Sequence, residues 1–293
     1  MKTYLPKISL VRNSRGVYCI DSIMGCPSGL AATEGGCYGD CYAARNAKLH
    51  GMDFSTAVLR DFEHEGHKAQ VIGQISRIKM PFIRLGASGD PSENWEHTLK
   101  ILRVLARCNT ELVIITRHWN LLTDSQLETM GRMNLCINTS VSALDCDSER
   151  ERALAQFHRI SPVLKSVLRI VSCDFNLENE TGRKLADIQR GLFRNEPTID
   201  TVFRPSKTNR FVVDGIVNAK TQYFNGKKQL ASKLNSKTYM GKCGTCQEMC
   251  GVNCNTKFTF PNRPGVERQT MLPLASPAKH PTQQHFAIDD AGL

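Results

Sequence analysis

The sequence predicts an α/β fold, a partial (βα)6 barrel with a basic, cysteine-rich C-terminal extension. Three observations predict it. Six short apolar runs rich in β-branched residues alternate with helical patterns up to about residue 215. One of those runs carries polar residues at every second position, and both the positive charge and a group of four cysteines concentrate after the last run. Strand and helix in alternation require parallel strands joined by crossover helices.

The runs are VYCIDSIM from Val17, PFIRLGAS from Pro81, ELVIITRH from Glu111, LCINTSVSAL from Leu135, VLRIVSCDF from Val167 and TIDTVFRPS from Thr198. Between them, SENWEHTLKILRVLARC places Trp95, Leu99, Leu102 and Leu105 at helical spacing, and LLTDSQLETMGRM reads as a helix capped by Asp124. In LCINTSVSAL, Cys136, Asn138, Ser140 and Ser142 fall on one side, and Ile137, Thr139, Val141 and Ala143 on the other. The polar side is expected to line a cavity, which favours a barrel or partial barrel over an open sheet. The domains expected are a barrel over 1–215, a basic four-cysteine metal-binding extension over 216–262, and a tail over 263–293 whose Pro, Ala and polar content reads as extended or disordered.

Composition narrows the function. The chain has 293 residues, 41% of them hydrophobic, enough for one large core. Its N-terminus, MKTYLPKISLVRNSRG, lacks the apolar stretch of a secretory signal, and no apolar run is long enough to span a bilayer. The expectation is a cytoplasmic, reduced protein with no membrane partner, in which the clustered members of its 12 cysteines bind metal rather than pair. From Arg204 to Arg268 there are twelve Lys or Arg against three Asp or Glu, which is +9 of the formal +10. Phe203, Phe211, Tyr223, Phe224, Tyr239, Phe258 and Phe260 lie in or beside that segment. Cations neutralise phosphates and rings take unstacked bases, so Arg204, Lys207, Arg210, Lys227, Lys228 and Lys233 are the candidate nucleic-acid contacts. A solubilising face is the plainer alternative.

Two cysteine groups carry the chemistry. GCPSGLAATEGGCYGDCYAARNAK holds Cys26, Cys37 and Cys41 directly after the first strand. Three thiolates on a 4Fe-4S cluster leave one iron open to a substrate or cofactor, whereas structural zinc would need a fourth ligand such as His50. KCGTCQEMCGVNCN holds Cys243, Cys246, Cys250 and Cys254 in a Cys-x2-Cys-x3-Cys-x3-Cys pattern, compact enough for a second 4Fe-4S cluster, with zinc as the alternative.

The first cysteine group, together with RLGASGDPSE (84–93), resembles the radical S-adenosylmethionine superfamily, and CYAARNAK, SGDPS and VIITRHWNLL are similar to its phage-encoded branches. The likeness covers about residues 15–215. The spacing departs from the superfamily's usual Cys-x3-Cys-x2-Cys: here it is Cys-x10-Cys-x3-Cys, with Tyr38 and Tyr42 as the neighbouring aromatics. The resemblance implies an enzyme whose cluster binds S-adenosylmethionine at the open iron and releases a 5'-deoxyadenosyl radical that abstracts hydrogen from a substrate. Gly86, Ser88, Gly89 and Asp90 would then receive the cofactor's amino group. Arg117, Ser140, Ser142 and Arg169 would position the cofactor, with Arg169 facing its carboxylate. Cys173 and Cys146 would be hydrogen-atom donors, and a flavodoxin or ferredoxin would supply electrons. Joined to the basic extension, this reads as an enzyme modifying a nucleobase in DNA, favoured over RNA, such as hypermodification of phage DNA in the host cytoplasm. A radical enzyme acting on a peptide or protein, and a non-enzymatic zinc-stabilised nucleic-acid binder, are the alternatives.

Overall fold

The computed structural model describes residues 6–32, 36–78, 82–194, 197–224, 226–234, 238–243, 246 and 249–252. Cys254, Phe258, Phe260 and the tail 263–293 lie outside them. In chain order the elements are β1 (Val11–Arg12), β2 (Tyr18–Cys19), β3 (Ile23–Met24), α1 (Pro27–Ala31), α2 (Tyr42–Leu49), β4 (Val58–Leu59), α3 (Glu65–Ser76), β5 (Phe82–Leu85), α4 (Trp95–Leu105), β6 (Glu111–Thr116) and α5 (Asp124–Gly131). There follow β7 (Leu135–Val141), α6 (Asp147–Ile160), β8 (Ser166–Ser172), β9 (Asp174–Phe175), α7 (Glu180–Leu192), β10 (Thr198–Val202), α8 (Arg210–Val213), β11 (Val217–Asn218), β12 (Lys220–Phe224) and β13 (Lys227–Ala231).

The principal sheet has seven strands in the order β1-β2-β5-β6-β7-β8-β10. From β2 to β10 all neighbours are parallel and in chain order, with registers such as Ile114 opposite Ile137 and Ser140 opposite Arg169. The edge strand β1 is antiparallel. It is set by a turn in which the Asn13 side chain accepts from the amides of Arg15 and Val17, both at 3.0 Å.

The two faces of this sheet differ. Alternate residues Ile83, Leu85, Leu112, Ile114, Leu135 and Ile137 pack in one cluster with Val71 and Ile75 of α3, Leu99, Leu102 and Leu105 of α4, and Leu127 of α5. Farther along, Val141, Leu168 and Ile170 meet Ala153 and Phe157 of α6 and Leu192 of α7. Helices therefore cover one face. On the other face Cys19, Phe82, Val113, Cys136, Val167 and Ile199, one residue from each of the six parallel strands, form a cluster with Cys243 and Cys250 of the C-terminal segment. Each fully buried side chain of this size stabilises by about 1.5–3 kcal/mol.

Helix starts obey local chemistry. The Asn94 side chain accepts from the His97 amide to open α4. The cap of α5 is Thr123 rather than Asp124: Thr123 and Gln126 form a reciprocal capping box, which leaves Asp124 as the first helical residue. The expectation for LCINTSVSAL is likewise amended. Its polar residues do share a face, but all of β7 is buried, because the C-terminal segment covers the lower end of that face: Asn138 donates to the Cys250 carbonyl at 2.9 Å. No helix of the described residues is long and apolar enough to cross a membrane.

His118, just past β6, is fully buried. Its Nε2 meets Thr139 Oγ1 at 3.0 Å, and its Nδ1 has no hydrogen-bond partner. Burial, with Arg152 nearby, lowers its pKa from 6.5 to about 3. The folded chain holds it neutral while the unfolded chain protonates it, so its contribution to stability is complete above pH 6.5 and is lost as pH falls toward about 3. Urea unfolding across this range should show the parent losing more stability on acidification than His118→Gln. Equal pH profiles for the two proteins would contradict neutral burial.

Candidate active site

The cysteine loop follows β3 at the C-terminal end of the sheet. Cys26 precedes α1, Cys37 opens a single 3-10 turn, and Cys41 precedes α2. A Cβ at Gly29 would lie 2.6 Å from Cys26 Sγ and 3.3 Å from Cys37 Sγ, so both sulfurs crowd the space that this glycine leaves empty. Cys41 packs with Cys26, Phe54, Leu30 and Trp119 in one small apolar cluster. The Cys26 thiol donates to Glu93 Oε1 at 3.3 Å. Burial raises all three thiol pKa values, that of Cys26 with added repulsion from Asp90 and Glu93, and that of Cys37 to about 12 despite the nearby Arg117. The three are therefore thiols at neutral pH, and any metal they take must displace their protons. Among the described residues no three His, Cys, Asp or Glu side chains stand gathered as a ready metal-holding group. The donor types nonetheless suit iron and sulfur: Cys26 and Cys37 flank Gly29, and Cys26 and Cys41 share one small apolar cluster, so three thiols lie on one loop without forming a closed ligand set.

The glycine segment lies against this loop. Gly25 and Gly89 form a parallel bridge, and the Gly25 amide donates to the Ser88 carbonyl at 3.1 Å. A Cβ at Gly89 would meet the carbonyl oxygens of Ile23 and Gly25 at 2.6 and 2.7 Å, and one at Gly86, whose φ is +90°, would meet that of Ile115 at 2.4 Å. Only glycine permits these approaches. Tyr42 adds a tether, its hydroxyl donating to the Ala87 carbonyl at 2.9 Å.

Asp90 sits where the sequence places it, at the end of this segment, yet its carboxylate faces inward. It accepts from the Ser92 amide and hydroxyl at 2.9 and 2.8 Å, Thr116 Oγ1 at 2.6 Å and the Arg117 amide at 2.7 Å. Those four bonds match the acceptor capacity of a carboxylate, so Asp90 positions the segment. Asp21, which no local sequence pattern singles out, holds the other end, accepting from the amides of Ala87 and Ser88 at 2.7 and 3.1 Å.

Arg117 donates to Asp145 at 2.6 Å and lies 3.5 Å from Glu149, while its guanidinium stacks 4.7 Å from the Tyr38 ring and 5.1 Å from that of Trp119. Its Nε and Nη1 and the Trp119 Nε1 are buried with no hydrogen-bond partner. Unfilled donors beside three thiols suit an acceptor-rich ligand. Ser140 shares a 3.4 Å contact with the Tyr38 hydroxyl, whereas Ser142 donates to the Val171 carbonyl and acts within the fold. Cys173 is fully buried in an apolar cluster with Phe175, Phe203 and Val217. Cys146 is exposed at the start of α6, 3.3 Å from the Ser148 hydroxyl.

The second cysteine group lies at the other end of the strands. Cys243, Cys246 and Cys250 line one pocket with Arg15, Arg169 and Arg204. Arg169, expected to face the cofactor's carboxylate, points to Asn138 Oδ1 at 3.4 Å and Cys250 Sγ at 3.9 Å. Of the candidate nucleic-acid contacts, Lys207, Arg210, Lys227 and Lys228 are exposed and Lys233 is half-buried. Arg204 bridges the two regions, stacked 4.4 Å from the Phe224 ring and 5.8 Å from that of Tyr42. Among the described residues, three non-glycine residues have left-handed backbone: Tyr38, His118 and Cys250, at φ 57°, 54° and 53°. Each costs about 1–3 kcal/mol, and each lies in or beside one of these groups.

Gly89→Ala should destabilise the chain by about 1–3 kcal/mol, since two backbone carbonyls must move. Gly73→Ala, on α3 where a Cβ meets nothing within 4 Å, should stabilise it by up to about 1 kcal/mol. Urea unfolding compares them, and a Gly89→Ala protein as stable as the parent would contradict the close apposition of the two loops.

No protein-family model matches the chain and no curated protein matches it, so the resemblance to a superfamily rests on the residues and their arrangement alone.

Proposed function

We propose that the chain is a radical S-adenosylmethionine enzyme acting on a nucleobase, and that its sheet is the wall of a partial (βα)6 barrel. One observation carries the reading: the loop that bears Cys26, Cys37 and Cys41 is joined to the glycine segment, through Gly25 and Gly89, at the C-terminal end of a parallel sheet whose strands run in chain order. In α/β proteins that end collects catalytic groups. Helices on one face and a separate polypeptide segment on the other suit a curved wall better than a doubly wound sheet.

In this reading Cys26, Cys37 and Cys41 hold a 4Fe-4S cluster, with Gly29 leaving space beside the sulfurs. When bound, that cluster would supply the electron that splits the carbon-sulfur bond of S-adenosylmethionine into methionine and a 5'-deoxyadenosyl radical. The chain's own residues bind and orient. Gly86 and Gly89 would present backbone to the cofactor, while Ser88, whose amide and carbonyl are engaged by Asp21 and Gly25, holds the segment together with Asp21 and Asp90. Arg117 Nε and Nη1 and Trp119 Nε1 offer donors to its acceptor atoms, and the Tyr38 and Trp119 rings shield the site from water. Cys243, Cys246 and Cys250, with Cys254, would hold a second 4Fe-4S cluster or zinc. The substrate class rests on the β12–β13 hairpin, where Lys220, Lys227 and Lys228 are exposed beside Tyr223, 68% exposed. Its Phe224 and the loop's Tyr42 both flank Arg204, which places this basic surface near the cysteine loop.

Anaerobically reconstituted protein should form 5'-deoxyadenosine from S-adenosylmethionine under reducing conditions. Cys26→Ala, Cys37→Ala and Cys41→Ala should each abolish it. Product formation retained by all three variants would refute the assignment.

A further inference from the structure

We infer that Arg15, Arg84, Arg169 and Arg204 form one anion site on the helix-free face of the sheet, and that it takes the phosphate of a nucleotide. The inference deepens the reading above and rests on it for the nucleotide's base, whereas the phosphate site stands on its own geometry. Arg15, Arg169 and Arg204 line a single pocket open to solvent. Arg84, on β5, adjoins it: the side chain is 9% exposed, and its Nε is buried with no hydrogen-bond partner.

The remaining contacts leave most of this charge unanswered. Arg15 Nε donates to the Gly241 carbonyl at 3.2 Å, Arg169 meets Asn138 and Cys250, and Arg204 stacks on Phe224 and Tyr42. Among the described residues none of the four guanidinium groups is in an ion pair. Among the described residues the acid that lines the pocket is Asp200, hydrogen-bonded by the Ser172 hydroxyl. Burial, reinforced by Arg15, Arg169 and Arg84 against the opposing pull of Tyr42, lowers Arg204 to about 10. Arg204 therefore feels the other three cations, and the one described carboxylate that lines the pocket cannot balance them.

Gathering like charges in a half-buried space is unfavourable unless anions join them; metal-bound thiolates of Cys243, Cys246 and Cys250 would answer part of the charge, Arg169 above all, and the phosphate the rest. Guanidinium forks match the oxygens of phosphate, which offers several of them acceptors at once, as a single carboxylate does not. Tyr42, 54% exposed and beside Arg204, provides a ring face for the attached base. Because Tyr42 follows Cys41, a nucleotide anchored by its phosphate in the pocket has its base on the side of the cysteine loop.

Titration calorimetry with thymidine 5'-monophosphate, thymidine and a short single-stranded oligothymidylate tests this, on metal-loaded and metal-free protein. The monophosphate should bind at least about tenfold more tightly than the nucleoside, and Arg15→Ala and Arg204→Ala should each weaken it about tenfold, with Arg204→Lys in between. Circular dichroism of each variant guards against misfolding. Oligothymidylate binding that falls with the monophosphate's in Arg204→Ala supports a phosphate within a strand, and monophosphate binding lost alone supports a free nucleotide. Equal affinity for thymidine and its monophosphate, arginine variants that bind as the parent does, or binding confined to metal-free protein would overturn the inference. S-adenosylmethionine cleavage in the same samples separates the two claims. Phosphate binding without cleavage sinks the radical reading alone, and cleavage without phosphate binding sinks the anion site alone.

Discussion

The buried carboxylate of Asp90 is the constraint on which the candidate site depends. It ties the start of the short helical turn at Pro91–Asn94 to the end of β6 through Ser92, Thr116 and the Arg117 amide. Everything placed at the C-terminal end of the sheet follows from that junction. The glycine segment is stretched between Asp90 and Asp21, the cysteine loop is bridged to it at Gly25, and Arg117 and His118 leave β6 in the direction that the junction sets. A buried charge is tolerated only when its hydrogen bonds are complete, and here four are made. The same completeness makes Asp90 a poor direct ligand and a good anchor.

The two ends of the sheet are built on different physics. At the C-terminal end, glycines at 25, 29, 86 and 89 allow backbone and sulfur to approach at distances that a Cβ would forbid. At the N-terminal end the C-terminal segment is drawn in by apolar burial. Cys243 and Cys250 join a cluster with Cys19, Phe82, Cys136 and Ile199, and a Cβ at Gly251 would meet Val167 and Cys136 at 2.8 and 3.2 Å. Between the ends runs the row of arginines, so charge lies between two groups of thiols. Local backbone strain at Tyr38 and Cys250 is held in place by this packing.

Much of this was legible in the sequence. Six apolar runs correspond to six parallel strands in chain order, because strand and helix periods differ enough to be separated by eye. The helical spacing of Trp95, Leu99, Leu102 and Leu105 marks the buried face of α4. The alternation in LCINTSVSAL located a polar face, though not what covers it, because contact with Cys250 spans more than a hundred residues and no local pattern encodes it. The cap at Thr123 rather than Asp124 turns on a capping box whose second member, Gln126, competes with the plain preference for Asp at a helix start. Asp21, Glu93, Arg15 and Arg84 were missed for a common reason. Each is a single polar residue near a strand or loop end, and its partner is set by tertiary contact alone.

The central claim is that Cys26, Cys37 and Cys41 hold a cluster with an iron open to S-adenosylmethionine. Its most direct test is electron paramagnetic resonance of the reduced, anaerobically reconstituted variant in which Cys243, Cys246, Cys250 and Cys254 are all replaced by Ala, recorded with and without S-adenosylmethionine. The account predicts about four irons per chain and a signal that changes when the cofactor is added. A variant that retains no iron, or a signal indifferent to S-adenosylmethionine, would contradict it.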